Sequence, residues 1–272
     1  VARPNRIIKL VPEFGPRHFC YKPSVMGMQG LLVNNKFHTQ IGKYSAPSLT
    51  TVDGELALER PSAGDDWLQY TVNYPWHTFT GDFTAIVRAR CASAASQDET
   101  WSSSGEFGES SWNNIVWSIG IDVNDMPFMF FENGNGANNY PVGDAVIGKT
   151  LGEVATYGFS RNAAKKTVTY FKNGSQVGSE ISYANNATDG TSTKLAIGSA
   201  YNATGDSSDY EFTDVIISAK VLPHALIKRL TTNIDLAYID GAITSPHFMP
   251  APSNVPPGGI YGPLYGPLGG PI

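Results

Sequence analysis

Cysteine is nearly absent from this chain: its 272 residues include two, Cys20 and Cys91. At most one bridge can form, so no disulfide framework holds the fold. The plainer reading is two buried free thiols, with a single bridge from the N-terminal segment as the alternative. Charge is sparse as well, at 16% Asp, Glu, Lys and Arg and a net charge of −5. No basic run exceeds Lys165-Lys166, which argues against nucleic-acid binding through a positive surface. No apolar stretch nears the ~20 residues that span a bilayer as a helix. Val1-Ala2-Arg3-Pro4-Asn5-Arg6 leads into few apolar residues before Pro12, so no signal-peptide core is legible there. The histidines, His18, His38, His77, His224 and His247, stand singly and without zinc-ligand spacing. Phosphate-binding glycine loops and nucleophile elbows are missing too.

Against these absences stands a succession of short strand and turn signals, strongest between Thr156 and Leu230. Val168-Thr169-Tyr170-Phe171-Lys172 runs into Asn173-Gly174 and out through Ser175-Gln176-Val177-Gly178-Ser179. Such a run predicts a hairpin, because Asn-Gly accepts the two positive φ angles of the tight turn. A short strand over Lys194–Ser199 and a longer one over Glu211–Ala219 follow. Pro223 then opens a helix whose apolar stripe is Leu226, Ile227 and Leu230. Upstream, Trp117, Ile119, Ile121 and Val123 alternate as in a half-buried strand, and Asn124-Asp125-Met126-Pro127 turns the chain into Phe128–Phe131. The predicted core is Trp117, Ile119, Ile121, Phe171 or Tyr170, Ile197, Val215 and Ile217, between two antiparallel sheets. Ser93–Asn114 and Asn133–Gly143 are expected to be long loops.

In the order of these motifs, residues from about 50 to 232 resemble the concanavalin A-like jelly rolls, specifically the laminin G-like domains. The likeness is carried by Tyr170 to Gly174, Leu195 to Gly198, Phe212 to Ile217 and Leu222 onward, with a fainter match over Gly81–Arg90. It implies an all-β fold, an antiparallel two-sheet jelly-roll sandwich over residues 49–232, with extended irregular arms at 1–48 and 233–272. Proline recurs from Pro4 to Pro47 in the first arm, where one strand is expected near Gly30-Leu31-Leu32-Val33. The second arm ends in a tandem repeat, Tyr261-Gly262-Pro263-Leu264 and Tyr265-Gly266-Pro267-Leu268, which no helix or central strand accommodates.

Binding modules, enzymes and structural proteins all use this scaffold, so function must be read from residues. The β-glucanase branch carries Glu-x-Asp-x-x-Glu on one strand for acid and nucleophile roles. The nearest cluster here, Asp209, Glu211 and Asp214, has another order and reads as solvated turn carboxylates. The expectation is therefore no enzyme and no resident cofactor. Asp122, Asn124 and Asp125 could offer oxygens to a calcium ion, as laminin G-like domains often do near a strand end. The alternative is that they simply make the turn, since three ligands do not fill a shell of about six to eight.

What remains is recognition chemistry. Trp101, Trp112, Asn113, Asn135, Asn138 and Tyr140 are the candidate glycan-binding set, with rings to stack on sugar faces and amides for hydroxyls. The competing reading makes the tryptophans packing lids and the asparagines turn formers. Tyr261, Leu264, Tyr265 and Leu268 are candidate assembly contacts, because proline lowers the entropy lost when a tail docks. The reading that covers both sandwich and arms is a non-catalytic structural protein of a large assembly. A phage or virus particle is the expected setting, with the chain as capsid decoration or tail component. Its partners would be other virion subunits and its own copies. The alternative is a secreted, extracellular carbohydrate-binding or adhesion module of the laminin G-like type.

Overall fold

The computed structural model describes residues 7–27, 30–38, 42–44, 48–59, 67–71, 79–93, 99–105, 115–131, 140–185, 194–198 and 209–241. Its first strands are β1 (Ile7–Leu10), β2 (His18–Tyr21), β3 (Leu31–Val33), β4 (Lys36–His38), β5 (Gly42–Tyr44) and β6 (Leu49–Val52). Next come β7 (Glu55–Leu58), β8 (Trp67–Thr71), β9 (Phe83–Cys91), β10 (Glu99–Gly105), β11 (Ile115–Ile121) and β12 (Pro127–Phe131). The last are β13 (Val154–Asn162), β14 (Thr167–Lys172), β15 (Ser175–Ser182), β16 (Lys194–Ile197), β17 (Tyr210–Ser218) and β18 (Tyr238–Gly241). The helices are α1 (Pro23–Met26) and α2 (His224–Thr232).

One sheet runs β15-β14-β13-β9-β17-β2-β3-β4, with β7 joined to β17 and β6 to β7; the other runs β12-β11-β10-β16-β8-β5. The two are antiparallel and form a sandwich. Alternation along each strand decides what lies inside. On β17, Val215 and Ile217 enter the core between the sheets, while Ile216 faces outward beneath α2. The same rule settles the choice between neighbouring aromatics on β14: Tyr170 points in and Phe171 points out, against α2. Trp117, Ile119, Ile121 and Ile197 are buried between the sheets as expected. Val123 is not; it lies past the end of β11 in the turn and is 48% exposed.

The Asn-Gly hairpin is present, with φ of 46° at Asn173 and 82° at Gly174. Gly174 N–H also donates to Thr231 Oγ1 of α2 at 3.0 Å, which fixes the helix end on the turn. Gly158 on β13 lets the same helix lie close, because a β-carbon there would come within 2.8 Å of Ile227 Cγ2. Ile227 and Leu230 bury the predicted stripe of α2.

Two expectations are corrected. The segment Ser93–Asn114 is not one loop, since β10 occupies its middle and pairs with both β11 and β16. Much of the segment read as an N-terminal arm belongs to the sandwich: β2 pairs with β17, and Phe19 and Tyr21 are core residues. Of its described prolines, Pro16 falls between strands and Pro12 and Pro23 open short helical turns, where a missing N–H costs nothing. At the other terminus, β18 pairs with β1 as a separate ribbon, and residues 242–272 lie outside the described residues.

Residues 140–148 join the two sheets along one side. Met129 N–H and Tyr170 O–H both donate to Pro141 O, at 3.2 and 2.6 Å, so one carbonyl bridges β12 and β14. Lys172 Nζ donates to Gly148 O at 2.7 Å, and Asp144 Oδ1 accepts Ser179 N–H at 2.7 Å. The last bond occupies a backbone donor of the edge strand β15, which would otherwise invite pairing with another chain.

Candidate ligand-binding site

Of the candidate glycan residues, Tyr140 and Trp101 are described, and they differ completely. Tyr140 opens the 140–148 segment and is 44% exposed. Its ring sits 5.1 Å from Phe128 and 6.4 Å from Phe130, on the outer face of the second sheet. That face is apolar here because Phe128, Phe130 and Ala196 cluster on it, with Val142 alongside. Tyr140 thus presents a ring positioned by aromatic neighbours, with part of its surface open to solvent.

Trp101 lies on β10, not on a loop, and its exposure is 0%. Tyr157, Phe159, Tyr210 and Phe212 surround it, at 4.7, 5.6, 4.9 and 6.3 Å between ring centroids. No face is left for a sugar, so Trp101 is withdrawn from the candidate set. Trp112, Asn113, Asn135 and Asn138 lie outside the described residues, as do Tyr261, Leu264, Tyr265 and Leu268.

The possible calcium turn uses its carboxylate locally. Asp122 Oδ1 accepts N–H from Asn124 and Met126 at 2.9 and 2.8 Å, and Asp125 holds the positive φ of the turn. This is the turn-making role of Asx residues. Among the described residues, no group of three His, Cys, Asp or Glu side chains is placed to hold a metal.

Asp209, Glu211 and Asp214 are corrected in environment. They are 1%, 7% and 0% exposed, not solvated. Lys149 approaches Asp209 at 3.9 Å, Arg90 pairs with Glu211, and Lys22 Nζ donates to Asp214 at 2.7 Å. Residues three apart on a regular strand face opposite ways. A register shift between Phe212 and Asp214 changes that: Glu211 comes opposite Arg90 and Asp214 opposite Arg88, on one side of the sheet. Asp214 also accepts from the Tyr238 hydroxyl at 2.6 Å, and the Cys20 thiol lies 3.7 Å from that phenol oxygen. Burial pushes both the thiol and the phenol up, the thiol to about 12, so neither is a nucleophile at neutral pH. Cys20 and Cys91 are both buried free thiols.

One functional-grade side chain escaped the sequence reading. Arg161 lies near the end of β13, on the inward face it shares with Tyr157 and Phe159, and its exposure is 0%. Its Nε donates to Gly81 O at 2.7 Å and its Nη2 to Phe79 O. The guanidinium stands 4.7 Å from the Phe131 ring centre. The signal available beforehand was a cation at an inward position of an alternating strand.

No protein-family description matches this sequence, and no curated protein matches it. Solved structures do. A Trypanosoma rangeli sialidase in complex with sialic acid aligns with TM-score 0.53 and 12% identity, over 80% of this chain and 33% of that one. A leech intramolecular trans-sialidase complexed with 2,7-anhydro-Neu5Ac aligns with TM-score 0.51 and 14% identity, over 61% and 26% of the two chains. The binding domain of botulinum neurotoxin DC, in complex with rat synaptotagmin II, gives 0.52 and 13%, over 75% and 49%. The chain spans between 26% and 49% of the length of these three structures. At such identities the likeness is one of fold. It supports a β-sandwich and does not single out the laminin G-like domains.

Proposed function

We propose that this chain is a non-catalytic glycan-binding module built on a lectin-like, laminin G-like β-sandwich. The observation that carries the reading is Tyr140: a half-open ring set beside Phe128 and Phe130, with its backbone neighbour Pro141 held by both sheets. A ring fixed in advance loses little entropy when a sugar stacks on it. Asp209, Glu211 and Asp214 are engaged in ion pairs with Lys149, Arg90 and Lys22. Two structural neighbours are described with sialic acid or 2,7-anhydro-Neu5Ac bound, which makes sialylated sugars the first ligands to try. Titration of the full chain against neutral and acidic oligosaccharides should show saturable binding without turnover. Tyr140→Ala should weaken it about tenfold at unchanged melting temperature. Equal affinity in the variant, or hydrolysis of a bound sugar by the wild type, would refute this.

A second reading, a subunit of a large particle, draws on the ribbon of β1 and β18. Ile7 pairs with Gly241, so the chain on both sides of the sandwich leaves from one place. Two segments issuing together, one carrying Tyr261, Leu264, Tyr265 and Leu268, suit a shared docking groove on a neighbouring subunit. Deletion of residues 254–272 should leave the sandwich's melting temperature unchanged and abolish formation of higher-order assemblies, as read by light scattering. A truncated chain that associates like the full one would remove this reading.

A further inference from the structure

Charged side chains are rarely fully buried unless paired. Arg161 breaks that rule: among the described residues, no carboxylate comes within ion-pair distance of it, and its Nη1 has no hydrogen-bond partner. Burial pushes the guanidinium down to about 10, while Tyr183 and Asp82 nearby favour the charged form, so it is cationic at neutral pH. What offsets the cost of placing it there is two main-chain carbonyls, the Phe131 ring and the more distant Asp82, with no ion pair among the described residues.

The covering above it is thin. The carbonyl that Nε holds belongs to Gly81, which is exposed, and a β-carbon built on Gly81 would meet nothing within 4 Å. One peptide layer therefore separates the guanidinium from open space. The turns around this end of the sandwich carry exposed Arg17, Lys165, Lys166 and Lys220, while the described carboxylates there are Asp82 and Glu13. The Arg17 guanidinium lies 5.7 Å over the ring of Phe79, whose carbonyl Arg161 holds from the other side. An otherwise acidic chain thus places four exposed cations on the turns at this end of the sandwich.

We infer that the surface over Gly81, backed by Arg161, is a subsite for the carboxylate of an acidic sugar. The inference rests on the glycan-binding reading above and adds the ligand class to it. Gly81 leaves room for the carboxylate to approach, and Arg161 supplies the charge it meets.

The test is calorimetric titration of the full chain with 3′-sialyllactose and a hyaluronan tetrasaccharide, each beside its methyl ester, and with lactose. An acid should bind about tenfold or more tighter than its ester, as expected for attraction between opposite charges across a thin, poorly screening layer. Gly81→Val adds bulk in the open space over Gly81 without touching the core, so it should abolish that preference and leave the melting temperature unchanged. Arg161→Gln should do the same to the preference, with Arg161→Lys restoring part of it; should Arg161→Gln fail to fold, the Gly81 variant and the esters still decide. Equal binding of acid and ester would make Arg161 an internal strut and leave the glycan reading standing. An acid preference that survives Gly81→Val would place the carboxylate elsewhere and overturn the assignment. If none of these sugars binds, the glycan reading itself falls, and this subsite with it.

Discussion

Replacing Trp101 by alanine should lower the free energy of unfolding by about 3–5 kcal/mol. The expected signature is a lower denaturant midpoint with an unchanged slope, because the compactness of the two end states is not altered. The size of the effect follows from position. Trp101 is, with Trp117, the largest fully buried side chain among the described residues, and the four aromatic rings around it come from β13 and β17 of the opposite sheet. Truncation would leave a void bordered by rigid rings that cannot collapse into it, and would forfeit edge contacts each worth about 0.5–1.5 kcal/mol. Trp101→Phe keeps a ring in place and should lose much less. A loss under about 1 kcal/mol for the alanine variant would place the ring at the surface and restore Trp101 as a sugar contact.

Asp214→Ala should be nearly as damaging, costing about 3–5 kcal/mol, because it strands the partly buried Lys22 and removes the acceptor of Tyr238. Replacing Lys22 and Asp214 together by methionine and leucine should recover part of that loss, since the residual charge disappears with its partner. The same cluster sets an alkaline limit. Burial pulls Lys22 down, but Asp214 and Glu55 outweigh it, so its folded value is raised. The stability it contributes is therefore intact at neutral pH and lost as pH climbs through that raised value. Cys20 acts in the same direction, its thiol lifted by burial from 9.0 to about 12. Unfolding frees that proton once pH exceeds about 9, so the folded state loses on the order of 4 kcal/mol by pH 12. Tyr238, Tyr21 and Tyr170 are lifted by burial too and add to the loss. Tyrosine absorbance followed against pH should therefore rise in two phases, exposed rings first and the buried ones only together with unfolding. A smooth titration of all tyrosines near pH 10, with the fold intact, would contradict the burial of this cluster.

Local chemistry made part of the fold legible: Asn173-Gly174 supplies two positive φ angles, and alternation over Trp117–Ile121 and Val215–Ile217 marks an inward face. Residues 7–44 show no period because their strands are three or four residues long and the first three are set apart by prolines. They become strands because β17 offers an edge to β2, a partner some two hundred positions away in the chain. Trp101 was read as a loop residue for a similar reason. The Ser-rich stretch around it has no apolar alternation, and only pairing with β11 and β16 makes it a strand.

What the sequence by itself determined is a β-sandwich with a tight hairpin and a short helix with one apolar stripe. These follow from rules acting over a few residues, where backbone geometry and side-chain period leave little choice. Tertiary structure alone decided where charge resides. A one-residue register shift beside Thr213 turned Glu211 and Asp214 to the same side, so both meet cations and not solvent. The closing of the sandwich end left Arg161 inside without a described carboxylate partner, and only its neighbours in space, Phe79, Gly81 and Phe131, reveal this. Desolvation depends on everything that packs around a group, and those neighbours are brought together only when distant strands pair.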